Sequence, residues 1–176
     1  DSANAVQINP AQDTTVTTAA IPGASVFVKA GTLMNQQGSP FTGKLSITEV
    51  PSDLTPAALP NGFSVDMVVT IQPGEMAFAA PAQLSLPNRN GYAPGEQFDL
   101  WSINPVTGQF DKVGLGKVSP DGSTIDTVSG GIRNSSWHAF VQPELAPQVA
   151  GNPRNEDPGC KECKKRKGLT SEVELH

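Results

Sequence analysis

Turn signals recur every 8–12 residues or so between about 24 and 141, and no segment between them carries a sustained 3.6-residue apolar stripe. The punctuation comes from 17 Gly and 16 Pro in a chain of 176 residues. Pro has no N–H and clashes with the preceding turn of a helix, and Gly loses the most backbone entropy there. Short segments split by such residues at this spacing are what an all-β sandwich or barrel produces. The expected fold is therefore an antiparallel β-sandwich built around one core.

The segments themselves alternate as strands do. Ser25-Val26-Phe27-Val28 is a short apolar run, and Leu45 and Ile47 alternate with Ser46 and Thr48. From Ser64 to Ile71, Val65, Met67, Val69 and Ile71 fall on one face, and Pro73-Gly74 ends the run. Successive side chains of a strand point to opposite faces, so such a run puts one face into a core. Glu75 to Phe78 and Gln83 to Leu86 read as two further short strands, followed by a turn at Asn90-Gly91. Gln97 to Ile103 and Gln109 to Val113, split by Asn104-Pro105-Val106-Thr107-Gly108, read as a hairpin. Ser119-Pro120-Asp121-Gly122 joins Gly116–Val118 to Ser123–Val128, and Trp137 to Val141 is the last strand. Asp53 to Leu59 reads as a single helical turn closed by Pro60. The predicted core comprises Val26, Val28, Leu45, Ile47, Val65, Met67, Val69, Ile71, Leu84, Leu86, Leu100, Trp101, Val113, Ile125, Trp137 and Phe140.

Four regions follow. Residues 1–22, rich in Thr, Ala, Asn and Gln, read as an N-terminal arm or lead-in strand, and 23–142 as the sandwich. Residues 143–168 read as a flexible Pro/Gly/Lys-rich linker, because no apolar periodicity survives there to offset chain entropy. Residues 169–176 alternate again and read as the first strand of whatever follows. The absence of an initial Met suggests a processed or excised piece of something longer.

Net charge is −5, which argues against a nucleic-acid backbone or an anionic membrane surface as partner, since both demand a basic face. The one basic cluster, Lys161, Lys164, Lys165, Arg166 and Lys167, has no aromatic residues interleaved and reads as a solvated linker. No stretch approaches the roughly 20 apolar residues of a spanning helix, so no membrane insertion is expected.

Chemistry is sparse. The chain has two His, His138 and His176. A hydrolytic triad needs a His held by a carboxylate and facing a nucleophile, and no Gly-x-Ser-x-Gly elbow occurs. His138 lies on a late strand, where self-cleaving β-domains place a His just before a Ser, Thr or Cys; here Ala139, Phe140 and Val141 follow. The carboxylates are scattered, no EF-hand calcium loop occurs, and glycosidase-like pairing across a sheet stays open on spacing alone. Cys160-Lys161-Glu162-Cys163 is the one chemically suggestive motif. It reads as a local disulfide or free thiols, or as half of a zinc site completed by another segment, since structural zinc wants four ligands. No catalytic residue, cofactor or complete metal site is expected.

The stretch from Leu100-Trp101-Ser102 through Thr107-Gly108-Gln109-Phe110-Asp111-Lys112-Val113-Gly114-Leu115-Gly116, Val118 to Gly122, and Gly131-Ile132 to Trp137-His138 resembles a module of large bacterial exported proteins. That module is the β-sandwich upstream of Rhs/YD-repeat shells, akin to the ZU5 group and to the plug domain of teneurins. The Pro-rich link, the Cys-x-x-Cys and the strand from Leu169 to Leu175 are similar to the approach into such shells. The resemblance covers roughly residues 83–176. It implies an Ig/ZU5-like sandwich that caps, plugs or spaces a shell of the same precursor, toxin-enclosing or adhesive, secreted or at the cell surface. It carries over no catalytic residue. Two rivals remain at this point: a module that binds a glycan or protein through loops such as 87–95 or 104–108, and a self-processing domain.

Overall fold

The computed structural model describes residues 2–51, 65, 67–104, 107 and 109–143. The chain separates into Asp1–Ala146 and Pro147–His176, and every described residue lies in the first unit. The helical turn expected at 53–59, the linker, the cysteine pair and the strand expected over 169–176 fall outside the described residues.

The fold is all-β. Among the described residues twelve strands follow a short 3₁₀ turn at Ser2–Asn4: β1 Val6–Gln7, β2 Thr14–Thr17, β3 Ser25–Val28, β4 Leu33–Met34, β5 Lys44–Val50 and β6 Val68–Gln72. Then come β7 Ala77–Pro87, β8 Gln97–Ile103, β9 Phe110–Val118, β10 Thr124–Gly130, β11 Ile132–Asn134 and β12 Trp137–Val141. All pairings are antiparallel, in the order β1-β5-β6-β12-β8-β9-β10-β7-β3-β2, with β4 and β11 added along β7. The two ends of this path approach each other where β2 comes alongside β5, so the sheet is nearly closed like a barrel. Closure removes exposed sheet edges.

The interior holds Leu45, Ile47, Met67, Val69, Ile71, Leu84, Phe98, Leu100 and Phe140 among others, all buried. Of the two readings of residues 1–22, arm or lead-in strand, residues 2–22 follow the second and are part of this sheet. They supply β1 and β2, and Ile8, Val16 and Ile21 are buried in the core, because β2 pairs along its whole length with β3, from Thr14↔Val28 to Thr17↔Ser25. The boundary expected at 22–23 falls inside a hairpin.

The two strands expected at 75–78 and 83–86 are one, β7. Its burial alternates through Phe78, Ala82, Leu84 and Leu86. Pro81, which cannot donate to a ladder, is exposed and sits where the pairing with β11 shifts register, between Ile132↔Ala82 and Asn134↔Ala77. The hairpin of β8 and β9 forms at the expected place, from Gln97↔Lys117 to Ile103↔Phe110. The turn into β10 is held by Asp121, whose Oδ1 accepts from the Ser119 hydroxyl at 2.6 Å, the Ser123 hydroxyl at 2.8 Å and the Ser123 N–H at 3.0 Å. Gly122, at φ 75°, takes the left-handed position.

Two close approaches shape the β8–β10 wall. Gly116 lies against Phe140: a β-carbon there would stand 2.4 Å from the ring. In β10 the pairing with β9 shifts between Thr127 and Ser129. There the Thr127 hydroxyl replaces a ladder rung to β7, donating to the Leu84 carbonyl at 2.8 Å and accepting from the Leu84 N–H at 3.1 Å.

Candidate functional site

One wall of the barrel, β6-β12-β8, is apolar on both faces. Its inner face belongs to the main core. On its outer face Val50, Val68, Trp101, Ile103, Ala139 and Val141 form a second buried cluster, with Val65, Phe110 and Trp137 packed partly buried against it. All residues of β8 after Gln97 are buried. Strands buried on both faces are typical of sheets covered on both sides. The wall continues onto β9, where Leu115 pairs with Asp99 and stays 42% exposed, and β10 adds Val128 at 59%. Asp99 is itself buried on this outer side and pairs with Lys112 at 2.9 Å.

Three residues expected in the core sit at its margin. Val65 and Trp137 are half-buried; Trp137 begins β12, at the end of the wall, so the barrel covers only part of its ring. Val113 is likewise half-buried, packed against the core from the register shift in β9. Met67, Val69, Ile71, Leu100, Trp101 and Phe140 are buried.

His138 is fully buried and shares a face of β12 with Phe140, pairing with Val69 on one side and Ser102 on the other. Its Nδ1 lies 3.1 Å from the Ser136 carbonyl. A carbonyl can only accept, so Nδ1 carries the proton and Nε2 is the bare nitrogen. Nε2 has no hydrogen-bond partner among the described residues. Burial pushes the imidazole pKa down to about 4, against a smaller opposing effect of the Ser136 hydrogen bond. At neutral pH the ring is an uncharged core side chain, and the atom that would act as a base is buried without a hydrogen-bond partner among the described residues.

Several of the described carboxylates are spent singly. Glu49 holds Arg89 through two contacts of 2.7 and 3.1 Å. Glu96 accepts from the Gln142 amide at 3.0 Å, Asp126 accepts from the Thr124 hydroxyl at 2.8 Å, and Asp13 accepts from the Ala30 N–H at 2.8 Å. The Asp121 carboxylate, ringed by three donors of its own turn, is held at a pKa of about 2, chiefly by the Ser119 hydroxyl. Among the described residues no group of three His, Cys, Asp or Glu converges in a way that would hold a metal ion. Cys160 and Cys163 are outside those residues.

At the end of the wall a cleft of about 540 Å³ opens. β6 supplies Thr70 and Gln72, and the following turn supplies Glu75 and Met76. The β8–β9 connection adds Asn104 and Thr107, and the segment entering β12 adds Asn134, Ser136 and Trp137. Glu75 is the one non-Gly residue at positive φ, 63°, among the described residues. The floor is fixed by Ser135, whose hydroxyl accepts from the Met76 N–H at 2.8 Å while its N–H donates to the Met76 carbonyl at 3.0 Å. Of these residues the sequence pointed to the 104–108 loop and to Trp137. Glu75, Gln72 and Asn134 carried no motif; the signal available was the polar run Asn134-Ser135-Ser136 immediately before an apolar strand.

Fold and site together define an all-β protein with a nearly closed antiparallel sheet, a doubly apolar wall and, at the end of that wall, a largely apolar cleft that carries amide, hydroxyl and carboxylate groups. No family model matches this chain, and neither a curated protein nor a solved structure matches it.

Proposed function

We propose that the chain is a non-catalytic structural module, an Ig/ZU5-like β-sandwich that caps, plugs or spaces a larger secreted or cell-surface protein of the Rhs/YD-repeat type. Its partners on this reading are neighbouring parts of the same precursor. The observation that carries the proposal is the doubly apolar wall. A sheet that closes on its own core has no need of a second apolar layer outside, and beyond that layer, past Asp99, Leu115 and Val128 stay exposed at 42% and 59%. Apolar side chains left side by side on a surface favour packing against further polypeptide. The chemistry of His138 supports the same reading: its one bare nitrogen is buried away from any substrate, and Ala139 and Phe140 offer it no nucleophile to activate.

A photo-crosslinking amino acid placed at Val128 in the intact parent protein tests the proposal. The expected product is an intramolecular crosslink from Val128 to sequence outside these 176 residues. Labelling by solvent alone, with no such product, defeats it. Self-processing, the rival of a different class, predicts a new N-terminus near Ala139, and an intact mass after long incubation at neutral pH removes it.

A further inference from the structure

We infer that the cleft at the end of the β6-β12-β8 wall is a binding site for a neutral oligosaccharide, with Trp137 as its stacking surface and the side chains of Gln72, Glu75 and Asn134 as its hydroxyl-recognising groups. The inference is independent of the structural role proposed above.

Four observations carry it. The first is size and form: about 540 Å³ lies inside the range of roughly 300–1,000 Å³ typical of small-molecule sites. The second is the aromatic residue. Trp137 packs partly against the outer cluster and also lines the cleft, so its ring is fixed on one side and available on the other. An indole offers an apolar face with a polar N–H, which suits the C–H face of a pyranose ring. The third is the polar part of the lining. The surface of the cleft is largely apolar; among its polar groups are amides and hydroxyls from Gln72, Asn104, Thr107, Asn134 and Ser136, and Glu75 is the sole charged residue of the described lining. Amides supply both donors and acceptors, and a carboxylate accepts from two hydroxyls. With no Lys or Arg in the described lining, the site has nothing to neutralise a phosphate or sulfate. The fourth is Glu75 itself, held at φ 63° beside Gly74. A non-Gly residue in the left-handed region stores strain, and such strain clusters at ligand clamps.

A peptide added as an extra strand is the rival occupant, and the topology disfavours it. β12 is already paired on both sides at Trp137, with Thr70 of β6 and Ile103 of β8. The cleft therefore lies at the end of a wall whose central strand, β12, offers no free edge there for main-chain pairing.

Intrinsic fluorescence gives the test, because the chain has two tryptophans and Trp101 is buried. The whole chain is titrated with uncharged tetrasaccharides of glucose, mannose and N-acetylglucosamine in α and β linkage, with a sulfated tetrasaccharide as the charged comparison. The expected result is a saturable emission change with at least one neutral sugar and none with the sulfated one. The change is lost in Trp137→Phe, and the affinity falls at least tenfold in Asn134→Ala and in Glu75→Gln. Asn134 and Glu75 are exposed, so both variants keep the wild-type unfolding midpoint. Absence of a response to every neutral sugar overturns the inference. So does binding that Asn134→Ala and Glu75→Gln leave unchanged, or tighter binding of the sulfated sugar.

Discussion

Acid should destabilise this fold through a single interior side chain. His138 is neutral in the folded protein because protonating it would put an unpartnered charge into hydrocarbon, and its pKa there is about 4 against an ordinary 6.5. Between those values the unfolded chain binds a proton that the folded chain does not. Stability contributed by the neutral ring is therefore fully present above about pH 6.5 and is lost as pH falls toward 4. Integrating that proton uptake gives a loss of about 2 kcal/mol between pH 7 and pH 5, and about 3 kcal/mol by pH 4. Against a total of roughly 5–15 kcal/mol for a domain, this is a large share. The Asp121 carboxylate, held at about 2, titrates below this window and does not confuse it.

The assay is urea denaturation at pH 7, 6 and 5, read by fluorescence, for the wild type and for His138→Leu. Leu has no titrating group and no orphaned nitrogen at the position of Nε2. The wild-type midpoint should fall by an amount equivalent to about 2 kcal/mol at constant slope, while the variant stays nearly flat. A wild type as stable at pH 5 as at pH 7, or a variant that loses as much as the wild type, would refute the burial argument for His138.

Three further outcomes follow from packing. Gly116→Ala drives a methyl to within 2.4 Å of a Phe140 ring carbon and should cost about 1–3 kcal/mol by thermal unfolding, partly restored in the double variant with Phe140→Leu. Thr127→Val strips the rung between β10 and Leu84 and leaves a buried N–H and carbonyl unpaired, costing about 1–3 kcal/mol, whereas Thr127→Ser retains most of the stability. Trp101→Ala should cost about 3–5 kcal/mol; Trp101→Phe should cost much less than Trp101→Ala in the same melts, because the Trp101 Nε1 is buried without a partner among the described residues and its removal ends a desolvation penalty.

Strands and turns were legible wherever local chemistry decides them. Alternation placed β5 and the part of the Ser64–Ile71 run that lies in β6, from Val68 on, and Pro-Asp-Gly and Asn-Gly placed the turns, because φ preference and period-two patterning act over a few residues. Long-range closure was not legible. Val16 and Ile21 lie among Thr and Ala, so their segment reads as an arm until β2 is seen paired along β3. Pro81 split β7 in the reading, since nothing local tells that its missing N–H falls at a register shift. Trp137 shows the same limit: a Trp beginning an apolar strand reads as core, and only its position at the end of the wall leaves it half-buried. The cleft was half legible, through the loop carrying Asn104 and Thr107, while Gln72, Glu75 and Asn134 meet only because β6, β7 and β11 bring their ends together.

These features share one location. The wall of β6, β12 and β8 holds the buried His138 on its inner side, the second apolar layer on its outer side, and the cleft at its end, with Trp137 belonging to the last two. A strand whose two faces both pack has little freedom to shift, so the register of β12 is fixed from inside by Phe140 and from outside by Ala139 and Val141. Trp137, next along the same strand, is thereby placed at the mouth of the cleft, packed partly against the same outer layer. Perturbing either layer should then be felt at Trp137: Ala139→Gly, which thins the outer layer, should broaden or shift its emission in a chain whose other tryptophan is replaced by Phe. An emission spectrum unchanged by Ala139→Gly would mean that Trp137 is held by its own neighbours in the cleft and not by the strand beneath it.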